Sequence, residues 1–281
     1  PDATHATSAP QATAKGQATA ARDSEPEPAI SAIGLGPIAV TIVDTPKALQ
    51  EFVALLRKQK RFSIDTETTH VWPRWAELVG ISFAWEGNRG WYLPMRAPEG
   101  EARLDSSEAL GLLRPILEDS DVVKIGQNLK FDRIVLRCAG VELRGAGFDT
   151  MLADYLLDSG SRSHGLDAMA HRYLNHSTIR ISELIGSGKN QKRMDEVSVR
   201  LVADYAGEDA VLPWRLLPIL EDRLEQAGLR TLFEQVEMPL MDVLVDMEHL
   251  GVPIDVELLA RLSETYRQRL DEIEREIVHL A

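Results

Sequence analysis

The sequence has little to cross-link it or to carry it through a bilayer. One cysteine, Cys138, stands in 281 residues, so an internal disulfide is excluded, and a small core thiol in a reducing compartment is the expected role. Catalysis by Cys138 is set aside, because no partner histidine is fixed by spacing. No run of about 18 apolar residues occurs, so no membrane span is expected. Positive charge is scarce: 31 Lys and Arg against 44 Asp and Glu give a net charge of -13, the reverse of a protein that holds duplex DNA by counterion release. Any nucleic acid must be gripped locally. Large apolar side chains are almost missing from "PDATHATSAPQATAKGQATAARDSEPEPAI", which cannot repay the entropy of ordering and is expected to be a linker. That stretch also lacks the apolar core of a signal peptide, in keeping with a cytoplasmic location. The first residue is Pro1 rather than Met, which suggests a fragment or an engineered boundary.

From about residue 37 strand and helix patterns alternate. "IAVTIVD" reads as a strand and "PKALQEFVALLRKQ" as an amphipathic helix, followed by three short strands in "RFSIDTET", "LVGISFAW" and "GWYLP". "SSEALGLLRPILEDS" reads as a helix opened by a serine cap, "VVKIGQN" as a strand, and "NLKFDRIVLRCAG" as a helix ended by Gly140. The remainder to about residue 228 is mostly helical. The expectation is an α/β sheet with strands first and helices wrapping it.

Within this pattern "RFSIDTETTH" is the stretch that needs explaining. Asp65 and Glu67 follow Phe62 and Ile64 in what reads as a buried strand, where an unpaired charge costs several kcal/mol. Period 2 aims both carboxylates to one face. The plain alternative is a polar strand end leading into a loop, and D-x-E also occurs at Asp23/Glu25 in the linker and Asp255/Glu257 at a helix start. Two further pairs add weight: Asn128 with Asp132, and Tyr205 with Asp209, each four apart on one helical face. Asn128 is also a natural helix N-cap.

"IDTET", "KIGQNLKFD" and "YAGEDA", in that order, resemble the three motifs of the 3′ to 5′ proofreading exonuclease domain of bacterial family A DNA polymerases, the tyrosine subclass of the DEDD exonucleases. The likeness continues through "FDTMLADYLL", "GKNQ" and "EMPLMDVLVDMEHLGVPID", over roughly residues 38–281. It implies an α/β, ribonuclease H-like fold, a mixed β-sheet flanked by helices and followed by a short all-helical segment. The implied organisation is a disordered linker over 1–36, a 3′ to 5′ exonuclease domain over 37–228, and the N-terminal helices of a truncated polymerase domain over 229–281. DNA synthesis is not expected, since palm and fingers are not in the sequence. The linker would join an upstream 5′ nuclease module in such a protein.

The resemblance implies two Mg²⁺ or Mn²⁺ ions, hard cations that relieve the repulsion of clustered carboxylates. Asp65, Glu67 and Asp209 would hold the first, Asp65 and Asp132 the second, and Tyr205 would position the attacking water with Glu67. The substrate would be a single-stranded or mispaired DNA 3′ end, the product a nucleoside 5′-monophosphate, and the protein a monomer whose other partner is the polymerase domain of its own chain. Thr68 and Val71 match positions near the terminal nucleotide, and Gln127 and Asn128 positions near its sugar and phosphate. Lys189, Lys192 and Arg193 form a dense basic loop suited to phosphate, with a solvated turn as the plain alternative.

Three departures stand out: Met194 where relatives often stack an aromatic ring, Phe131 for a frequent tyrosine, and Pro213, expected to bend the helix locally while leaving Asp209 inward. Trp72 and Trp75 are expected to cover the sheet rather than line the cleft, and His70 and His164 to cap or face solvent rather than bind metal. Leu258, Leu262, Leu270, Ile273 and Ile277 form a stripe expected to pack, with part of it exposed. Two alternatives remain open: an RNase D-like exoribonuclease with the same chemistry, and an inactive exonuclease fold serving as a spacer.

Overall fold

The computed structural model describes residues 36–281; the linker reading and Asp23/Glu25 lie outside them. Strands β1 (Ala39–Ile42), β2 (Arg61–Thr68), β3 (Leu78–Glu86), β4 (Arg89–Pro94), β5 (Val123–Gly126) and β6 (Ala146–Asp149) form one mixed sheet in the order β1-β4-β3-β2-β5-β6. β2, β3 and β4 are antiparallel neighbours, while β1 joins β4 and β5 joins β2 in parallel, with β6 parallel to β5. β2 is central, and its residues 62–64 are buried. This is the expected α/β fold.

Helix α1 (Pro46–Leu56) packs on α2 (Ser106–Leu117), and Phe52, Leu56, Leu113 and Leu117 enter the core with Phe62 and Phe83. The cap of α2 is Asp105, whose carboxylate accepts from the Glu108 N–H at 2.8 Å; Ser106 is already helical. An aspartate one residue earlier outcompetes the serine because an ionised acceptor bonds the N–H more strongly and faces the positive helix end. α3 (Leu129–Cys138) ends before Gly140, which takes φ +85°, as the glycine stop required. Cys138 is exposed rather than in the core, because it falls on the outer side of the last turn, beside His249 at 3.9 Å.

α4 (Thr150–Leu157), α5 (Leu166–Leu174) and α6 (Ile181–Ile185) lead to the long helix α7 (Val199–Gln226). α7 lies across β2, β3 and β4. Its approach is close at Gly207, where a Cβ added to Gly90 of β4 would meet the Gly207 carbonyl oxygen at 2.9 Å. Any side chain there would lever the helix away from the strand carrying Asp65. α7 continues through Pro213 and Pro218, and Asp209 still faces inward onto β2. Burial of the apolar face around Pro213 holds the helix where the proline ring removes a hydrogen bond.

A short turn α8 (Arg230–Leu232) and a π-helical segment lead into α9 (Met238–Leu250). Phe233, Met241 and Val245 are part of the same core as the sheet, so the chain up to α9 folds with the α/β unit. α10 (Val256–Leu280) is capped by Asp255, which accepts from the Leu258 N–H at 2.8 Å. Every residue of α10 is exposed, including the Leu258, Leu262, Leu270, Ile273 and Ile277 stripe. The stripe is therefore exposed and enters no buried core among the described residues. No helix among them is long and apolar enough to cross a membrane.

Candidate exonuclease active site

The pleat of β2 sends Ser63, Asp65 and Glu67 to one side of the sheet, the side on which α7 lies. Oxygen atoms of Asp65, Glu67 and Asp209 lie within 4.8 Å of one another. Asp132, from the first turn of α3, completes the wall of a cleft of about 350 Å³ that also exposes Gln127, Asn128, Phe131 and Tyr205. Three segments distant in sequence thus bring four carboxyl groups to one cleft.

No lysine or arginine among the described residues lines that cleft, and burial dominates the titration of the acids. Asp65 is pushed up to about 7, chiefly by desolvation. Desolvation also raises Glu67 well above the carboxylate range, with repulsion from Asp65, Asp209 and Asp132 adding to it. Asp132 and Asp209 rise for the same first reason and then from the charge of Asp65. One Glu67 oxygen, Oε1, is buried with no hydrogen-bond partner. An all-oxygen set with raised pKa values and an orphaned acceptor fits a hard divalent cation, which would neutralise the cluster and use the orphan.

Each acid is oriented by neighbours. The Thr66 N–H and hydroxyl donate to Asp132 Oδ1 at 3.0 and 2.6 Å, tying α3 to β2. Tyr205 hydrogen-bonds Asp209; burial, then the charges of Asp209, Glu67 and Asp65, hold its phenol protonated. Asn128 takes a left-handed conformation, φ 61°, and its side chain does not cap α3. Asp149 serves instead, accepting from the N–H groups of Asn128 at 3.2 Å and Leu129 at 2.7 Å. An asparagine tolerates positive φ, and the turn it makes lets the carboxylate from β6 reach the helix N-terminus.

A second cleft of about 500 Å³ shares Glu67 and Phe131 with the first and adds Thr68, Val71, Lys192 and Met194. Thr68, Val71, Gln127 and Asn128 therefore all border one of the two clefts. Lys192 and Arg193 line the second, whereas Lys189 is exposed on the turn Gly188–Asn190. Arg193 is engaged: it grips Asp195 at 2.7 Å and approaches Glu77 at 3.8 Å, so its charge is partly spent within the protein. Met194 is 5% exposed and packs with Tyr92, Val197 and Val202; it supports the cleft wall and offers no open face.

His70 accepts from the Trp72 N–H at 3.0 Å, and His164 bonds Asp154 at 2.6 Å, so both are occupied in local structure. Trp72 and Trp75 do not cover the sheet: they are 59% and 76% exposed. Sequence reasoning missed Thr66, Asp149 and the Asp154 network, in which Arg172, Tyr173 and His164 all contact the Asp154 carboxylate, and the His164 carbonyl accepts from Gln127 at 2.8 Å. The one available signal was Asp149 immediately before a helical pattern, a cap position.

Residues 40–225 match a family model described as 3′-5′ exonuclease. The chain belongs to the 3′-5′ exonuclease domain family of family A DNA polymerases. It is 36% identical over 261 residues to DNA polymerase I of Rhizobium leguminosarum, covering 86% of this chain and 26% of that protein. Against DNA polymerase I of Pseudomonas aeruginosa it is 36% identical over 234 residues, covering 80% of this chain and 25% of the relative. The chain thus spans about a quarter of the length of these relatives. Among solved structures, Pol1 of M. smegmatis in complex with DNA primer-template and dNTP superposes with TM-score 0.64 at 22% identity, over 82% of this chain and 35% of that one. NrnC of Brucella melitensis bound to pGG gives 0.58 at 22% identity, over 78% and 97%. These structures share the ribonuclease H-like exonuclease fold, and family membership makes this domain a nuclease.

Proposed function

We propose that the chain removes nucleoside 5′-monophosphates from single-stranded or mispaired DNA 3′ ends, as the proofreading part of a cytoplasmic, monomeric DNA polymerase I. The observation that carries this reading is the meeting of Asp65, Glu67 and Asp209 within 4.8 Å, beside Asp132 in the same cleft. On this reading residues 37–228 are the nuclease and 229–281 the leading helices of the polymerase domain, of which those up to α9 pack against the nuclease core.

Asp65, Glu67 and Asp209 would hold one Mg²⁺ or Mn²⁺, and Asp65 with Asp132 a second. Bound there, the ions would supply Lewis-acid activation of a water and of the scissile phosphate. The chain's own groups do the positioning. Thr66 fixes the Asp132 carboxylate. Tyr205, kept protonated by its surroundings, orients the attacking water by hydrogen bonding together with Glu67, and does not itself remove the proton. Gln127 and Asn128 approach the terminal sugar and phosphate, Thr68 and Val71 its base, and Lys189, Lys192 and Arg193 the phosphates further along. Met194 supports the wall from within.

The experiment supplies a 3′-mismatched primer, single-stranded DNA and RNA in Mg²⁺ or Mn²⁺. Release of 5′-mononucleotides from DNA, abolished in Asp65→Ala, is the expected result. Preference for RNA would turn the reading to an exoribonuclease, and equal rates for both proteins on every substrate would leave an inactive spacer.

A further inference from the structure

The loop between β2 and β3 carries a feature that the carboxylate chemistry does not use. Residues 70–76 are pinched at the base by two hydrogen bonds, Thr69 N–H to the Glu77 carbonyl and Glu77 N–H to the Thr69 hydroxyl, each 3.0 Å. Inside the pinch the chain turns tightly, the N–H groups of Trp75 and Ala76 both donating to the Trp72 carbonyl at 3.0 Å. Pro73 fixes φ within that turn. Arg74 lies against Gly251, where an added Cβ would fall 2.5 Å from its guanidinium. The loop is therefore a built structure, and it holds its two indoles outward, edge to face with centroids 6.4 Å apart. Indoles exposed to this extent are held out of the core at a cost in burial, and such exposed apolar surface marks an interaction site.

Continuity with the nuclease clefts says what the site meets. His70 and Val71, which lead directly into Trp72, line the second cleft, and that cleft shares Glu67 and Phe131 with the carboxylate cleft. On the nuclease reading, a strand with its 3′ end at Asp65 that runs on into this second cleft would pass the loop. On a protein of net charge -13 the few cations near the cleft, of which Arg193 is paired with Asp195, give the strand limited grip, so base stacking is a needed second source of affinity.

We propose that Trp72 and Trp75 form a stacking platform for the bases of single-stranded DNA upstream of the nucleotide being removed. The proposal rests on the nuclease reading above, because that reading sets the position of the 3′ end. Every base has a π face, so the platform is indifferent to sequence and acts on affinity for longer strands, leaving the hydrolytic groups to set the rate of each cut.

The test uses the full chain carrying Asp65→Ala, which is meant to hold DNA without cutting it. Oligo(dT) strands of increasing length are titrated, following tryptophan fluorescence and the anisotropy of a 5′-labelled strand. Adding Trp72→Ala and Trp75→Ala is expected to weaken binding of a dodecamer by roughly 10-fold or more, the size of a lost stacking contact, with the loss shrinking toward unity for a dinucleotide. Trp72→Phe with Trp75→Phe keeps most of the affinity, since a flat apolar ring remains. Equal affinities at every length overturn the platform, as does a loss as large for the dinucleotide as for the dodecamer. Indoles shielded from acrylamide without DNA, in a longer chain carrying the downstream domain, would also overturn it and assign the loop to that domain. The nuclease reading fails separately, through undiminished hydrolysis by the Asp65→Ala protein.

Discussion

Asp132 and Arg133 are adjacent in α3 and serve two regions that treat charge in opposite ways. On one side Asp132 joins Asp65, Glu67 and Asp209, four acids with raised pKa values and one unpartnered oxygen. On the other, α3 meets α9 through opposite charges: Arg133 with Asp242, Arg137 with Asp246 at 2.6 Å, and Lys130 with Glu248 at 2.5 Å. Met241 and Val245 of α9 enter the core beside these pairs. The flank's charges are paired within the chain, apart from the unpartnered Arg133 Nε, and hold α3 in place. The cleft's acids are unpaired and hold protons above the usual carboxylate range. Unpaired like charge thus lies on the face of this helix turned to the proposed catalytic cleft, and paired charge on its structural face.

The largest effect should come from the cleft. Asp65→Ala removes the carboxylate proposed to be shared by both ions and should slow DNA trimming at least about 10³-fold, roughly 4 kcal/mol of barrier. Gel assay of the released mononucleotide checks it, and an unchanged rate breaks the contrast between the two faces.

The second test uses pH and metal together. Asp65 rises from the usual carboxylate value to about 7 in the folded state, and Glu67, Asp132 and Asp209 rise too. The folded chain therefore keeps protons that the unfolded chain releases. Both states are protonated at low pH, so these groups cost stability only as pH climbs past the unfolded value, through about 7 for Asp65. Without metal, the melting temperature should fall between about pH 5 and pH 8, and the gain on adding Mg²⁺ should be larger at the higher pH. Scanning calorimetry with and without chelator reads both. A flat profile would mean the acids are neutralised internally, like the flank.

Thr66→Val keeps the backbone bond to Asp132 and removes the 2.6 Å hydroxyl bond. A loss of about 10-fold in Mn²⁺ affinity, with little change in melting temperature, is expected of such a supporting partner.

On the flank the effects should be smaller and structural. Arg133 is 8% exposed with its Nε unpartnered, while Asp242 is 66% exposed. Asp242→Ala leaves a largely buried guanidinium without its counter-charge and should cost about 1–2 kcal/mol in urea unfolding. Arg133→Met, which removes the charge as well, should cost less. Asp246→Ala, at an exposed partner of Arg137, should cost under about 1 kcal/mol. If Asp246→Ala cost more than Asp242→Ala, the distinction drawn from burial of the cation would fail.

Much of the fold could be read along the chain because β2, β3 and α1 state their periods clearly in apolar spacing. β6 could not: "AGFD" has weak strand propensity and forms by pairing with β5. The four carboxylates and Tyr205 were legible as pairs two or four apart, and all five border the same cleft. Thr66 was not, because its partner is 66 positions away. Nor was the burial of Met194 or the exposure of Trp72 and Trp75, since hydrophobic side chains carry no mark of which tertiary surface receives them.

By itself the sequence determined local geometry: which faces of β2, α3 and α7 carry acids, where helices stop, and that positive charge is scarce. The tertiary structure decided which of those faces meet. Carboxylates on separate segments repel and do not seek one another, so only the packing of α3 and α7 on β2, driven by apolar burial around them, holds the four acids together.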